Sequence, residues 1–241
     1  MIALSLDIDW APQEVLGDAL GLLARYGLKC TLFATHECRL PNGEGFEVGL
    51  HPNIASLDEA EGKIAALKGC YPQARGIRNH GLFSSFYLYE TYRKLGINYE
   101  SNHLCQSQEG LRCFHMPGGI AQAPICFMDD VHLRFLGGQE VGREIPFRGG
   151  WLEDESVKVF AFHPVHLFLN TRSLAHYQEA KPHYQDALRL QDFQHSGPGI
   201  RGLFTGLAEF IRDHGIKTYT LSELCELSLP QRSADAQESA A

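Results

Sequence analysis

Asp7-Ile8-Asp9 is the sharpest chemical feature of this chain. If the pair lies in a strand, residues two apart point to one face, and both carboxylates share one small volume. Carboxylates held together repel, so one of them needs a proton or a cation. A divalent metal would satisfy one and leave the other free as a base. The alternative is that the acids only cap the turn before Pro12. His51, after Glu47-Val48-Gly49-Leu50, and His80, after Arg78-Asn79, offer the donor that zinc and related metals take with a carboxylate and an open water position. Each histidine alone reads equally as a structural hydrogen-bonder, His80 as a cap on the turn at Gly81. His163-Pro164-Val165-His166 supplies a candidate general acid in His163, with a pKa near working pH, or else a loop anchor. Arg78 can orient a carboxylate through a bidentate pair, or form a salt bridge on the floor of the fold. Asp129-Asp130 with His132 forms a second acidic cluster: a further metal ligand, a partner that tunes His163, or, at Asp130, a solvated turn.

These residues fall where the chain places the C-terminal ends of strands. Strands are expected over residues 2–8, 29–35, 46–50, 75–78, 97–102, 111–116, 124–128, 157–162 and 217–220. Between them, helical periodicity covers residues 12–26, 57–67, 84–95, 202–214 and 221–227, with Gly27 stopping the first helix. Barrel and open α/β enzymes build their sites at those strand ends, where the chain converges and the following loops vary. Residues 170–198, rich in His, Gln and Tyr, read as an insertion with some helix, partly mobile, within a single domain over residues 1–228. Residues 229–241 read as a disordered tail. The aromatic residues among positions 83–92 follow a helical rhythm and are expected in the core.

The chain has 241 residues, 44% hydrophobic and 21% charged, enough to bury one large core. A formal charge of −8 gives no general attraction for phosphate backbones, so nucleic acid is excluded as a partner. Its 7 cysteines are scattered with no CxxC spacing, which fits a reducing compartment. Asp7 and Asp9 interrupt the one apolar stretch near the start, so no signal peptide is expected. No apolar run is long enough to insert in a membrane. The expected address is the cytoplasm. No GxSxG or Cys–His arrangement points to an acyl-enzyme.

In order, these motifs resemble the polysaccharide-deacetylase superfamily, also called NodB-homology or family 4 carbohydrate esterases. Leu4-Ser5-Leu6-Asp7-Ile8-Asp9 is similar to its first motif, Glu47-Val48-Gly49-Leu50-His51 to its second, and Phe160-Ala161-Phe162-His163 to its last; Arg78 falls where the third has its arginine. The resemblance implies an α/β fold, a distorted (β/α) barrel of about seven parallel strands. It implies Asp7 as base, Asp9 and His51 as metal ligands, and His163 as general acid. The usual second metal histidine falls at Ala55 here. His80, at the next strand end, is the expected replacement, with Asn53, His36 and Asp130 in reserve. Asp130, His166, Asn53 and His36 are also the candidate substrate contacts. The implied cofactor is a divalent metal: zinc, or else cobalt, nickel or iron. The implied reaction is removal of an N-acyl group from an amino sugar in a polysaccharide or its precursor. A small-molecule amide or ureide hydrolase and a glycan-binding module that has lost its metal stay open as alternatives. Cytoplasmic placement favours a soluble precursor, such as a nucleotide- or lipid-linked sugar.

Overall fold

β1 (Ile2–Asp7) is buried at every position, as a parallel strand covered on both faces must be. Ile2, Leu4 and Leu6 pack into the core that also holds Leu16, Leu23, Leu203 and Phe204 of the flanking helices. Ala3, Ser5 and Asp7 alternate onto the opposite face, which therefore carries a hydroxyl and a carboxylate. A computed structural model describes residues 1–41, 43–142 and 149–229 of the chain. After β1 come α1 (Gln13–Tyr26), β2 (Cys30–Ala34), β3 (Phe46–Leu50), α2 (Leu57–Cys70), β4 (Gly76–Ile77), α3 (Leu88–Lys94) and β5 (Tyr99–Glu100). β6 (Phe114–His115), β7 (Ala121–Gln122), β8 (Ile125–Met128), α4 (Asp129–Phe135), α5 (Gly149–Glu153), β9 (Lys158–Phe162) and α6 (Pro164–Leu169) follow. The chain then runs through α7 (Leu174–Ala180), α8 (Ala187–Gln191), α9 (Ile200–Asp213), β10 (Thr218–Tyr219) and α10 (Leu221–Ser228).

The strands form one curled sheet in the order β6-β7-β5-β4-β3-β2-β1-β9-β8, with β10 against the start of β1. Every pairing is parallel except β6 with β7. β7 lies on β5 and β8 lies on β9, and only Ala123-Pro124 separates β7 from β8. Pro124 has no N–H for the ladder, which accounts for the break. Leu104, past the end of β5, bridges to Ile125 of β8, so the curl comes round on itself. This is the α/β, mostly parallel NodB-type architecture that the motifs imply.

Glycine makes room inside the curl. A Cβ on Gly49 would lie 2.5 Å from the Phe33 ring, and one on Gly76 would lie 1.9 Å from the Tyr99 ring. Both rings occupy the space that the missing side chains leave.

The structure differs from the sequence reading in several places, among them the strand expected over 97–102, which keeps only Tyr99–Glu100. The helix expected over residues 84–95 shrinks to Leu88–Lys94, leaving Phe86 and Tyr87 exposed, their rings tilted against each other with centres 4.2 Å apart, rather than in the core. The strand expected over 111–116 keeps only Phe114–His115. Helices α4 and α6 begin directly at the ends of β8 and β9, where the periodicity had shown no helix. Residues 170–198 fold as α7, a 3-10 turn at Lys181–His183, and α8. Ala180 and Leu190, with Tyr177, Tyr184 and Phe193, pack there against Ala11, Val15, Val165 and Phe168. Of the expected tail, everything after Leu229 lies outside the described residues. Among the described residues no helix is long and apolar enough to cross a membrane.

Candidate active site

The interior face of β1 ends in an ion pair. Arg78, directly after β4, reaches Asp7 Oδ1 from Nη1 at 2.7 Å, and the two side chains are 0% and 2% exposed. The same Nη1 donates to Ser5 Oγ at 2.8 Å, Nε donates to the Ser101 carbonyl at 2.9 Å, and Nη2 donates to Ser101 Oγ at 2.8 Å. The guanidinium also lies over the Phe33 ring, 4.4 Å from its centre. A buried charge is tolerated when it is paired and hydrogen-bonded, and here the guanidinium is paired with Asp7 and makes four hydrogen bonds. Arg78→Met is expected to lower the unfolding free energy by about 3–5 kcal/mol, because it strands the Asp7 charge. The double variant Arg78→Met/Asp7→Leu should recover part of that loss in denaturant titration; a single variant as stable as wild type would contradict the pairing.

Asp9 reaches the same cleft by a different route from the one its spacing suggests. β1 ends at Asp7, and Asp9 and Trp10 both adopt left-handed backbone, with φ of 46° and 56°. The two carboxylates therefore meet through a turn and not through the pleat of one strand. The cleft, about 350 Å³, is lined by Asp7, Asp9, His51, His80, Asp130, His163 and His166 among others.

Three imidazoles surround the Asp9 carboxylate. His51 Nε2 stands 3.1 Å from Oδ1, while His80 Nε2 and His163 Nε2 stand 3.6 and 3.5 Å from Oδ2. His51 is held by the end of β3, and its Nδ1 lies 2.5 Å from the Arg78 carbonyl. A carbonyl only accepts, so Nδ1 carries the proton and the Nε2 lone pair faces Asp9. Asp9 Oδ1 is buried and has no hydrogen-bond partner. Two acceptors facing each other require a second proton on His51 or a cation between them. The donor set of one carboxylate and imidazole nitrogens, with His51 fixed from behind through Nδ1, fits a divalent metal. Burial opposes ionisation of Asp9, but the facing imidazoles of His51 and His80 and the charge on His163 overturn it and hold the carboxyl well below the usual range. Bonding to Asp9 raises the His80 pKa.

His163, at the end of β9, is built into a second group. Its Nδ1 lies 2.6 Å from Asp129 Oδ1, and its backbone N–H donates to Asp129 Oδ2 at 2.8 Å. Burial works to lower the His163 pKa, yet the Asp129 charge and hydrogen bond outweigh it and raise it well above the ordinary value. His166 sits beside it, with ring centres 5.6 Å apart, and its Nδ1 meets Thr171 Oγ1 at 3.0 Å. Burial, then the charge of His163, keeps His166 neutral. Asp129, His163 and His166 bring ligand-type atoms within 4.8 Å of one another, which a metal could use. However, Asp129 Oδ1 also accepts from the Asp130 N–H at 2.8 Å, so both its oxygens are already engaged. That arrangement suits holding His163 better than holding an ion.

The family model of the WbmS-like polysaccharide deacetylases matches residues 4–181. The chain belongs to that family. A solved structure of a candidate polysaccharide deacetylase involved in O-antigen biosynthesis, from Bordetella bronchiseptica, is 25% identical, covering 86% of this chain and 89% of that one with a TM-score of 0.76. Two more distant structures share the fold alone. One is a candidate polysaccharide deacetylase from Mycobacterium smegmatis (14% identity, 96% and 92% covered, TM-score 0.55). The other is a 4-alpha-glucanotransferase from Thermococcus litoralis (14% identity, 95% and 38% covered, TM-score 0.52). No curated protein matches the chain.

The position where the sequence resemblance implies a second metal histidine is Ala55. That residue is exposed and stands outside the cleft, its N–H donating to the Glu59 carboxylate that caps α2. His80 instead lines the cleft, carried there by the turn after β4, where its N–H donates to the Pro52 carbonyl at 3.0 Å. Two of the reserve residues are not brought in. Asn53 is exposed and its carbonyl accepts from Lys63, while His36 lies past β2 with Nδ1 on Thr35 Oγ1 at 2.9 Å; neither lines the cleft. Asp130 and His166 do line it, and Asp130 Oδ1 is buried without a partner. His132 stands off the cleft, tilted on Phe127 with ring centres 5.4 Å apart. Sequence reasoning chose Asp130 over Asp129 as the site residue and passed over Tyr177, Lys181 and Tyr184, which reach the cleft from the 170–198 excursion.

Proposed function

We propose that this chain hydrolyses the N-acyl group of an amino sugar with the help of a divalent metal held by Asp9, His51 and His80. The observation that carries this reading is the buried, partnerless Asp9 Oδ1 facing the His51 Nε2 lone pair, directly beside the Asp7–Arg78 pair. Membership of the deacetylase family supports the reaction class. Bound in that cage, a divalent metal, zinc foremost, would polarise the amide carbonyl and make water acidic enough to ionise near neutral pH. Asp7, kept in place by Arg78, accepts the proton that the water gives up. His163, held protonated by Asp129, donates a proton to the departing amine nitrogen. The same imidazolium, pointing into the cleft, favours the negative charge that develops on the carbonyl oxygen. Leu82, Met128, Val131 and Val165 line the cleft beside these polar groups. This mixture suits a sugar ring bearing a small acyl group. The O-antigen role of the Bordetella bronchiseptica protein supports a surface-polysaccharide precursor as the substrate.

The test is acetate release from N-acetylated amino sugars, free and nucleotide-linked. Chelator treatment should abolish release and a divalent metal should restore it. Release that persists at full rate in metal-free protein would overturn the reading.

A further inference from the structure

Left-handed backbone brings Cβ close to the following carbonyl oxygen, and aspartate tolerates it better than tryptophan does. Two consecutive non-glycine residues in that region persist only where the surroundings over-determine them. Asp9 and Trp10, at φ of 46° and 56°, are such a pair, and no glycine relieves either position. The Ala11 N–H closes the turn locally on the Ile8 carbonyl at 2.9 Å, and the side chains that hold the pair come from far along the chain. Tyr184 Oη donates to the Asp9 carbonyl at 2.8 Å, and Gln185 Nε2 donates to the Trp10 carbonyl at 3.1 Å. From the other side, the Trp10 N–H donates to Thr35 Oγ1 at 3.1 Å. Both carbonyls and the amide between them are thus fixed by side chains. The turn also sets His80, because the Trp10 ring meets the His80 ring edge-on with centres 5.3 Å apart. Tyr184 is itself seated, half-buried against the cluster of Ala11, Val15, Val165 and Leu190.

We infer that Tyr184 and Gln185 are positioning residues for Asp9: they hold the left-handed turn that directs its carboxylate at His51, His80 and His163. The excursion over residues 170–198 is then a working part of the metal site and not a cover over it. Without the two donors the turn relaxes toward ordinary backbone, and the carboxylate swings away from the imidazoles. This rests on the metal reading given above.

The experiment compares wild type, Tyr184→Phe and Tyr184→Phe/Gln185→Ala as full chains. Zinc affinity is measured by competition with a chromophoric chelator, and the cobalt-substituted proteins are compared by visible absorption. Loss of groups that orient a ligand typically weakens metal binding by about 10–100-fold. That range is expected for the double variant, with an altered cobalt spectrum and a metal-free Tm within a few degrees of wild type. Unchanged affinity and an unchanged cobalt spectrum in the double variant would overturn the inference. If wild type itself takes up neither metal, the metal reading fails, and the turn is judged on backbone chemical shifts of Asp9 and Trp10. Shifts that leave the left-handed range in the double variant support the clamp, and shifts that stay overturn it. Should the double variant not fold, Tyr184→Phe, which deletes a single oxygen, carries the same readings.

Discussion

Asp7→Asn is expected to lower deacetylation by about 10²–10⁴-fold while leaving metal content unchanged, the range that a positioned general base supplies. The amide has nearly the shape of the carboxylate and keeps an oxygen for the Arg78 Nη1 that lies 2.7 Å away in the native protein. It cannot accept a proton from water. Asp7 is committed to Arg78, while Asp9 is the carboxylate that His51 and His80 face, so the metal cage should survive. The assay is turnover of any N-acetylated sugar that wild type hydrolyses, read beside metal analysis of the same sample. Full activity in the variant would remove Asp7 from the role of base.

Asp9→Ala and His51→Ala are each expected to reduce metal content from about one ion per chain to background, since three protein ligands are the usual minimum for an open catalytic site. Little stability should be lost with them. Asp9 lies beyond the end of β1, and His51 projects from the end of β3 into the cleft. Removing Asp9 also removes the carboxylate on which three imidazoles converge, so activity should fall at least as far as in Asp7→Asn. Near-stoichiometric metal retained in both variants would exclude them as ligands.

Much of this site could be read before any coordinates, because strands announce themselves locally. The first run, which carries Asp7, the run ending at His51 and the run ending at His163 are properties of five to seven adjacent residues, and Asp7, His51 and His163 line one cleft. What escaped depends on other information. The left-handed turn at Asp9-Trp10 has no local signature, since neither residue is glycine, and it is held by donors 175 positions away. The choice between Asp129 and Asp130 turned on where α4 begins. With Asp129 as its first residue, that side chain faces the backbone of the neighbouring β9 end while Asp130 opens to the cleft. His36 looked equivalent to His51 because each follows a strand, yet one further residue of chain and the bond to Thr35 take it elsewhere. Strand ends are thus legible, and the turns leaving them are not.

The most direct measurement of the central claim is the location of a zinc ion by anomalous scattering from crystals of the full chain grown with zinc. One strong peak is expected between Asp9, His51 and His80, with imidazole nitrogens at about 2.0–2.1 Å and Asp7 left outside the coordination shell. A peak at Asp129, His163 and His166 instead, or no peak in the cleft at saturating zinc, would contradict it.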